Sequence, residues 1–337
     1  MNSKIHETDV IIIGAGPIGL FAIFEAGMLK MKCHVIDTLD FIGGQCSALY
    51  PEKPIYDIPA HPKILAQDLI KNLEEQANPF NPVYHLSQRV EKLEQLADKS
   101  FEITTSKNTK IRGKAIIIAA GCGAFGPNRP PIKNIEEFEG KSVFYMVKAR
   151  KDFEGKNVVI AGGGDSAVDW AISLQEVAKK VTVIHRRDKF KCAPDSSEKL
   201  KKLADEGKIE MAIPYQLHDL EGKNGDLENV VVKDFDGNIK KIPADVLLPF
   251  YGLSMELGPI ANWGLNLEKH FIDVEVSTMQ TSILGIFAIG DIINYKCKLK
   301  LILNGFAEAA TATHNIYPII YPDVPLHFEY STSKGAA

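Results

Sequence analysis

Two glycine-rich stretches of the sequence have the residue types and spacing that bind phosphate groups. The first contains Gly14, Gly16 and Gly19, which follow an apolar run that begins at Asp9. In this pattern the glycines permit a tight turn and bring the backbone close to a pyrophosphate, and the N-terminus of the next helix favours negative charge. Pro17 suits the first turn of such a helix because it has no N–H group. The stretch therefore predicts a dinucleotide site.

The second stretch repeats this arrangement 162 − 14 = 148 residues later. Gly162 and Gly164 follow another apolar run, and Ala167 holds the last place of the motif, which the pattern permits. Asp165 and Ser166 stand at the start of the predicted helix. One motif of this kind is weak evidence, but two copies, each between a strand and a helix, predict two dinucleotide sites.

The residues at the end of the next strand distinguish the two predicted ligands. Asp37 lies 37 − 19 = 18 residues after the last glycine of the first motif, where an acid accepts hydrogen bonds from a ribose and disfavours a 2′-phosphate. In the second unit His185 precedes Arg186 and Arg187, and guanidinium groups bind phosphate in a bidentate way. The first site is therefore predicted to hold FAD or NAD(H), and the second NADP(H).

Plainer interpretations of these residues stay open. Asp37 can simply end a strand, and Arg186 and Arg187 can be solvated surface charges. Asp188 weakens the phosphate preference, because an acid near the ribose repels a phosphate.

Two further motifs place polar or aromatic side chains near the first predicted site. Gly43 and Gly44 let the chain pass close to a ligand, and Tyr50 either stacks on a flat ring or belongs to the core beneath a surface turn. A short apolar run that ends in Gly290-Asp291 predicts a strand that closes the first sheet. Asp291 would then lie beyond the carboxyl end of that strand, where open α/β sheets bind ligands, and would accept hydrogen bonds from a flavin ribityl chain.

These motifs require an α/β scaffold. The apolar runs at 9–14 and 114–121 predict buried parallel strands, and residues 33–37 predict a further strand. The predicted fold has two Rossmann-like dinucleotide-binding domains. The NADP(H)-binding domain, residues 123–283, is predicted to be inserted into a discontinuous FAD-binding domain that comprises residues 1–122 and 284–337.

The composition is that of a globular protein. Of 337 residues, 45% are apolar and 24% are charged, and the net charge of −4 does not indicate a nucleic-acid or membrane partner. The polar N-terminal residues do not resemble a signal peptide. The five cysteines form no C-x-x-C pair, which argues against a disulfide framework or a metal site and favours the cytoplasm.

The order of the motifs resembles that of flavoprotein reductases of the thioredoxin reductase type. Those enzymes carry a C-x-x-C disulfide shortly before the second fingerprint, but residues 143–150 contain no cysteine. Glutathione-reductase-like enzymes have a cysteine where Cys46 stands and a second one five positions later, where this chain has Pro51. Since neither redox disulfide exists, dithiol chemistry is not expected.

Without either disulfide, the sequence is similar to the thioredoxin-reductase-like ferredoxin–NADP⁺ reductases. The similarity rests on residues 43–57, on the second fingerprint with Asp169 and Trp170, and on the C-terminal pair Ser331-Thr332. It implies a homodimeric enzyme that binds FAD and NADP(H) and exchanges electrons with ferredoxin or flavodoxin.

The same resemblance implies particular site residues. Tyr50 and Tyr330 would stack on opposite faces of the flavin, and one of the two rings would have to move aside for nicotinamide. The implied FAD contacts are Asp37, Gln45, Tyr50, Val90, Phe125, Asp291 and Thr332.

The expected reaction passes hydride from NADPH to the flavin and single electrons from the flavin to the acceptor. Because this chemistry belongs to the cofactor, no side chain is assigned an obligatory catalytic role. The alternatives are an NAD(P)H oxidase, a reductase of another small acceptor, or a redox-sensing flavoprotein without fast turnover.

Because ferredoxins are acidic, a basic docking surface is expected on this chain. Two groups of cations are candidates for it, and ordinary solvated charge is the alternative for both. The groups are Lys148, Arg150 and Lys151, and Lys296, Lys298 and Lys300.

Overall fold

The computed structural model describes residues 5–326, apart from the side chains of residues 124–125 and 253–255. The chain divides into two compact units. The first unit takes the chain up to Phe125 and again from Met255, and the second unit is Gly126–Ser254. The second unit is therefore an insertion within the first.

Strands and helices alternate along much of the chain. The strands are β1 (Ile5–Glu7), β2 (Val10–Ile13), β3 (Cys33–Ile36), β4 (Pro54–Ile55), β5 (Ile64–Leu65), β6 (Val83–His85), β7 (Val90–Gln95), β8 (Phe101–Thr105), β9 (Lys110–Gly113), β10 (Ala115–Ile118), β11 (Ala124–Pro127), β12 (Asn157–Ala161), β13 (Lys180–Ile184), β14 (Ile209–Ala212), β15 (Gln216–Lys223), β16 (Asp226–Lys233), β17 (Ile239–Pro243), β18 (Val246–Pro249), β19 (Leu253–Glu256), β20 (Leu267–Glu268), β21 (Phe271–Ile272) and β22 (Ile286–Ala288). The α-helices are α1 (Pro17–Met28), α2 (Gly44–Leu49), α3 (Ala66–Ala77), α4 (Asp165–Leu174), α5 (Pro194–Asp205) and α6 (Ile302–Ile320). Turns of 3₁₀ helix occur at Asn78–Phe80, Ile135–Glu137, Arg150–Phe153, Gly258–Asn262 and Gly290–Ile292.

A five-stranded parallel sheet, in the order β22–β10–β2–β3–β6, forms the core of the first unit. Every residue of β2 and β10 is buried, as in parallel strands that are covered on both faces. In the sheet register Ile116 lies between Ile11 and Ile286. A smaller sheet, β1–β9–β8–β7, completes this unit with a β-meander. The sequence prediction of an α/β fold is confirmed.

The return of the chain to the first unit comes earlier than the sequence indicated. The division lies at Met255 rather than at residue 284, a difference of 284 − 255 = 29 residues. Leu257, Ile260 and Ile272 are buried in the core cluster of the first unit, which explains the shift. The intervening strands β20 and β21 have only two residues each, so no periodic pattern marks them in the sequence.

The second unit has its own parallel sheet, in the order β14–β13–β12–β18. An antiparallel sheet, β15–β16–β17, packs into the same core through residues such as Val230 and Val232. The hairpin that Asp236-Gly237 predicts connects β16 to β17, and Gly237 adopts a φ of +92°, which favours glycine.

No helix within residues 5–326 combines the length and the apolar character that a membrane crossing requires.

Three imidazole rings meet beside the sheet of the first unit. They belong to His6 on β1, His34 on β3 and His85 at the end of β6. His34 Nδ1 lies 3.0 Å from His85 Nε2, and the His6 ring centre lies 5.8 and 5.3 Å from those of His34 and His85. Burial, followed by the neighbouring imidazoles, lowers the pKa of His34 to about 4 and also lowers the pKa of His85.

Acidification is expected to destabilise the fold through His34. The folded pKa of this base, about 4, lies below its usual value of 6.5. The contribution of uncharged His34 to the unfolding free energy is therefore fully present above pH 6.5, and it is lost as the pH falls from 6.5 towards 4. Because His34 is only partly buried, we expect His34→Gln to reduce the loss of unfolding free energy between pH 7 and pH 5 by about 1 kcal/mol. Urea unfolding at the two pH values measures this loss.

The matched control is His61→Gln, since His61 is exposed outside the regular elements. An identical pH dependence for wild type and His34→Gln would contradict the assignment.

Candidate functional site

The glycine turn between β2 and α1 forms one wall of a cleft in the first unit. A Cβ atom on Gly14 would lie 2.3 Å from the Ala119 carbonyl oxygen, and one on Gly19 would lie 2.0 Å from the Gly14 carbonyl oxygen. No side chain fits at either position. A Cβ atom on Gly16 would meet nothing within 4 Å. Gly14 and Gly19 thus permit close packing, while Gly16 leaves open space in front of the helix.

Asp37, at the end of β3, holds this turn in place. Its Oδ2 accepts the Ala15 N–H at 2.7 Å, and its Oδ1 accepts the Leu39 N–H at 2.9 Å. Burial raises the pKa of the Asp37 carboxyl, and the backbone N–H groups oppose that shift. The acid that the sequence predicts to bind ribose therefore also connects the end of β3 to the glycine turn.

The second glycine motif passes against the first. The Gly43 N–H donates to the Ala15 carbonyl at 2.8 Å, and a Cβ atom on Gly44 would lie 3.0 Å from the Gly16 Cα atom. Gly43 and Gly44 have φ values of +104° and +53°, so this approach also favours glycine. Helix α2 then carries Gln45 to the cleft.

The cleft has a volume of about 240 Å³. It gathers most of the predicted FAD residues in one place. Those that line it are Gly14, Gly16, Asp37, Gln45, Tyr50, Val90 and Asp291. The side chain of Phe125, and the whole of Tyr330 and Thr332, lie outside what the structure describes.

Tyr50 lines this cleft with an uncharged side chain. Burial raises the pKa of its hydroxyl well above the usual value, and Cys46 and Asp291 raise it further. The Lys53 ammonium lies 5.7 Å from the centre of the Tyr50 ring. Tyr50 is therefore protonated at neutral pH and offers a flat, half-buried ring without charge.

The cysteines near the cleft are unreactive thiols. Burial raises the pKa of Cys46 to about 11 and also raises that of Cys122, whose sulfur accepts the Gln45 Nε2–H at 3.4 Å. The thiolate is the nucleophilic form, and these shifts suppress it. All five cysteines are free.

Sequence reasoning missed one side of the cleft. Leu257, Ile260 and Trp263, from the segment that follows β19, line it together with Lys300. The indole Nε1 of Trp263 is buried and has no hydrogen-bond partner among the described residues. The boundary expected at residue 284 assigned the first three to the other domain, and their spacing carries no motif. Only the long-range fold brings them here.

The glycine turn of the second unit repeats the geometry of the first. A Cβ atom on Gly162 would lie 2.7 Å from the Phe250 carbonyl oxygen and 3.0 Å from the Ala167 Cβ atom. A Cβ atom on Gly164 would meet nothing closer than the Lys191 carbonyl oxygen at 3.9 Å. Gly162 therefore permits the close approach, and Gly164 leaves space before α4.

His185 covers the middle of this turn. A Cβ atom on Gly163 would lie 2.2 Å from the His185 ring, and the ring centre lies 4.9 Å from that of Phe190. Burial lowers the pKa of His185, and Arg186 and Arg187 lower it further, although the Lys189 carbonyl near Nε2 opposes the shift. His185 is thus an uncharged side chain that packs against the glycine backbone.

The chain after β13 folds back over the glycine turn. The Lys191 N–H donates to the Gly163 carbonyl at 2.7 Å, and Asp165 Oδ1 accepts the Ala193 N–H at 2.9 Å. Arg186 and Arg187 are exposed on this returning segment.

Two further exposed cations, Lys189 and Lys191, share the segment and were missed by sequence reasoning. Asp165 and Ser166 are exposed in the first turn of α4. The segment that carries Arg186 and Arg187 therefore returns to the glycine turn that precedes Asp165 and Ser166.

The two groups of cations proposed for docking are not equally exposed. Lys298 is buried, with 1% of its side chain accessible, and pairs with Glu308. The prediction that it belongs to an exposed patch is therefore wrong. Arg150 is half buried, and its Nη2 atom lies 2.6 Å from Glu176 Oε2. Lys148, Lys151, Lys296 and Lys300 remain exposed.

Two Rossmann-like units, each with a glycine turn in front of a helix, define a protein of the two-dinucleotide-fold α/β class. The family profile of the pyridine nucleotide-disulphide oxidoreductases matches residues 8–313. The chain therefore belongs to that family, and the resemblance inferred from the sequence is confirmed.

Curated relatives are similar over almost the whole chain. A protein of Rickettsia akari named ferredoxin–NADP reductase is 62% identical over 329 residues, which is 98% of each chain. One of the same name from Rickettsia felis is 60% identical over 329 residues, again 98% of each chain.

Solved structures show the same fold. Thioredoxin reductase of Lactococcus lactis is similar with a TM-score of 0.80 and 25% identity, over 94% of this chain and 99% of that one. Thioredoxin reductase of T. acidophilum gives a TM-score of 0.81 and 24% identity, over 93% and 98% of the two chains.

The two glycines of the first turn are expected to respond differently to the same substitution. Gly19→Ala places a methyl group 2.0 Å from a backbone oxygen, so the turn must open, at a cost of about 1–3 kcal/mol of unfolding free energy. Gly16→Ala meets open space and should change the unfolding free energy by less than about 0.5 kcal/mol. Thermal and urea unfolding of the FAD-free proteins provide the comparison. Equal losses in both variants would contradict the assigned packing.

Proposed function

We propose that this chain is a flavin-dependent reductase that transfers electrons between NADPH and ferredoxin or flavodoxin. The observation that carries the proposal is the cleft built around Gly16, Asp37 and Asp291 in a chain that lacks a cysteine pair beside either glycine turn. Relatives about 60% identical are named ferredoxin–NADP reductase, which supports the choice of acceptor.

The cleft of the first unit fits FAD. Gly16 leaves space at the N-terminus of α1, where backbone N–H groups and the helix dipole favour a pyrophosphate. The unpartnered indole N–H of Trp263 offers a hydrogen bond to a ligand, since a buried donor without a partner is costly. When bound, FAD accepts hydride and releases the two electrons singly, which connects a two-electron donor to a one-electron acceptor.

We propose the FAD contacts from the sequence expectations, and seven of them also line the cleft. Gly14, Gly16 and Gly19 shape the pyrophosphate site, and Asp37 faces the ribose. The remaining contacts are Gln45, Tyr50, Val90, Phe125, Asp291 and Thr332. Tyr50 would cover one face of the flavin and exclude water from it, whereas Tyr330, which the family resemblance implies for the other face, lies outside the described residues. No side chain transfers an obligatory proton in this proposal.

The second unit is assigned to NADP(H). Gly162 and Gly164 shape its turn, Asp165 and Ser166 begin the helix, and His185 covers the glycine backbone. Arg186 and Arg187 bind the 2′-phosphate through their guanidinium forks, with the charge of Lys189 and Lys191 nearby.

The partners follow from charge and from the relatives. An acidic ferredoxin, or flavodoxin, would dock on one of two pairs of exposed cations, Lys148 with Lys151 or Lys296 with Lys300. A homodimer is proposed, and sedimentation equilibrium at micromolar concentration would refute it by giving the monomer mass. A cytoplasmic location is also proposed, and the free thiols support it.

Reduction of cytochrome c by NADPH, with and without added ferredoxin, tests the proposed reaction. Ferredoxin should raise the rate by at least about tenfold, because the site lacks a dithiol and needs a one-electron carrier. A parallel oxygen electrode detects the oxidase alternative. Turnover that is independent of ferredoxin and that consumes oxygen would refute the proposal. Stopped-flow reduction of the flavin that is slow with NADPH and with NADH alike would favour a regulatory flavoprotein without fast turnover.

The arginine pair is expected to determine the choice between NADPH and NADH. The double variant Arg186→Ala/Arg187→Ala should raise the KM for NADPH by about 10- to 100-fold, because charge-assisted hydrogen bonds to the 2′-phosphate are lost. The KM for NADH should change by less than about threefold, since NADH has no such phosphate. Lys223→Ala, an exposed cation on β15, serves as the control. Equal increases in the KM for NADPH and for NADH would contradict the assignment of Arg186 and Arg187 to the 2′-phosphate.

A further inference from the structure

A buried carboxylate on α6 lies directly behind the end of β22. Glu308 is 3% exposed and lies on the 19-residue helix that follows the Gly290-Asp291 motif. Its Oε2 accepts the Gly290 N–H at 2.7 Å. An ionised side chain at this depth requires partners for both oxygens.

The second oxygen of Glu308 has two donors. Lys298 Nζ and the Tyr295 hydroxyl both donate to Oε1, the latter at 2.8 Å. The Lys298 ammonium lies 5.0 Å from the centre of the Tyr295 ring. Burial raises the pKa of Tyr295 to about 12, and the hydrogen bond to Glu308 also raises it, so the hydroxyl remains a donor at neutral pH.

These contacts join three separate segments. They are the turn at Gly290–Ile292, the connection through Tyr295 and Lys298, and helix α6. Gly290 has a φ of +79°, and a Cβ atom on it would lie 2.8 Å from Ile18 Cδ1. The turn is therefore pressed against α1 on one side and hydrogen bonded to Glu308 on the other. Asp291, the next residue, lines the cleft.

We propose that Glu308 is a positioning residue for the FAD site, which fixes the Gly290 N–H and thereby holds Asp291 at the ligand. Lys298 and Tyr295 neutralise and orient the carboxylate. This inference rests on the proposed function, because it takes the cleft to be the FAD site. It also explains why Lys298 is buried beside two exposed lysines.

Two double variants separate positioning from the cost of an unpaired charge. Lys298→Met/Glu308→Gln removes the ion pair but keeps a carbonyl oxygen for the Gly290 N–H. Lys298→Met/Glu308→Met has nearly the same side-chain volume and removes that acceptor. Removing both charges avoids a lone buried ion, which would destabilise either variant. Glu75→Gln, at an exposed glutamate of α3, is the control.

The measurement is the FAD dissociation constant, obtained by titration of each FAD-free protein and followed by quenching of flavin fluorescence. The Glu308→Met double variant should bind FAD about 10- to 100-fold more weakly than the Glu308→Gln double variant, since it lacks one hydrogen bond to the turn. The visible circular dichroism of bound FAD should also differ between the two double variants. Equal affinity and equal spectra would overturn the proposal.

If the double variants do not fold, Glu308→Asp provides the test. It keeps the charge beside Lys298 but shortens the side chain by one methylene group, so weaker FAD binding is expected. Unchanged affinity would also overturn the proposal. A wild-type chain that binds FAD yet fails to reduce ferredoxin refutes the proposed function alone, whereas equal affinities of the variants refute the role of Glu308 alone.

Discussion

The architecture depends on backbone atoms that approach one another more closely than any side chain would allow. At the turn after β2, Gly14 packs against Ala119, which follows the neighbouring strand β10, and Gly19 packs against Gly14. The ends of two adjacent strands and the start of a helix therefore meet without an intervening side chain. Because the strands are parallel, everything that leaves their carboxyl ends, including Asp37 and Asp291, converges on the same edge of the sheet.

The two units share this turn and differ in charge. The first presents Asp37, whose oxygens are already engaged by the Ala15 and Leu39 N–H groups, so the acid acts as part of the scaffold as well as of the cleft. The second places four exposed cations on a segment that folds back to Gly163. In the proposed function the same backbone geometry serves two ligands, and the short segments after the second strand select between them.

Local pattern predicted much of this fold. The glycine motifs, the buried strands β2 and β10 and the hairpin at Asp236-Gly237 depend on near neighbours in the chain, and each is present. Seven of the residues expected to contact FAD line the cleft, and Gly14, Gly16 and Asp37 are among them because the fingerprint fixes their spacing.

Features that depend on distant contacts were not predicted. Trp263 reaches the cleft through a segment that sequence reasoning placed in the other domain. In the sequence Lys298 cannot be distinguished from the exposed lysines beside it. It is buried because it pairs with Glu308, which lies ten residues later on α6. The three histidines are separated by 34 − 6 = 28 and 85 − 34 = 51 residues and meet only because β1, β3 and β6 lie close together. No periodicity marks such pairs, since their partners come from other elements.

The insertion of one unit into the other also sets the order in which the protein can be completed during synthesis. Strand β10 pairs with β22, and 286 − 118 = 168 residues separate the end of the first from the start of the second. The whole of Gly126–Ser254 leaves the ribosome within that interval. The unit that begins later in the chain is therefore available to fold first, and the apolar edge of β10 has no β22 to cover it until Ile286–Ala288 has been synthesised.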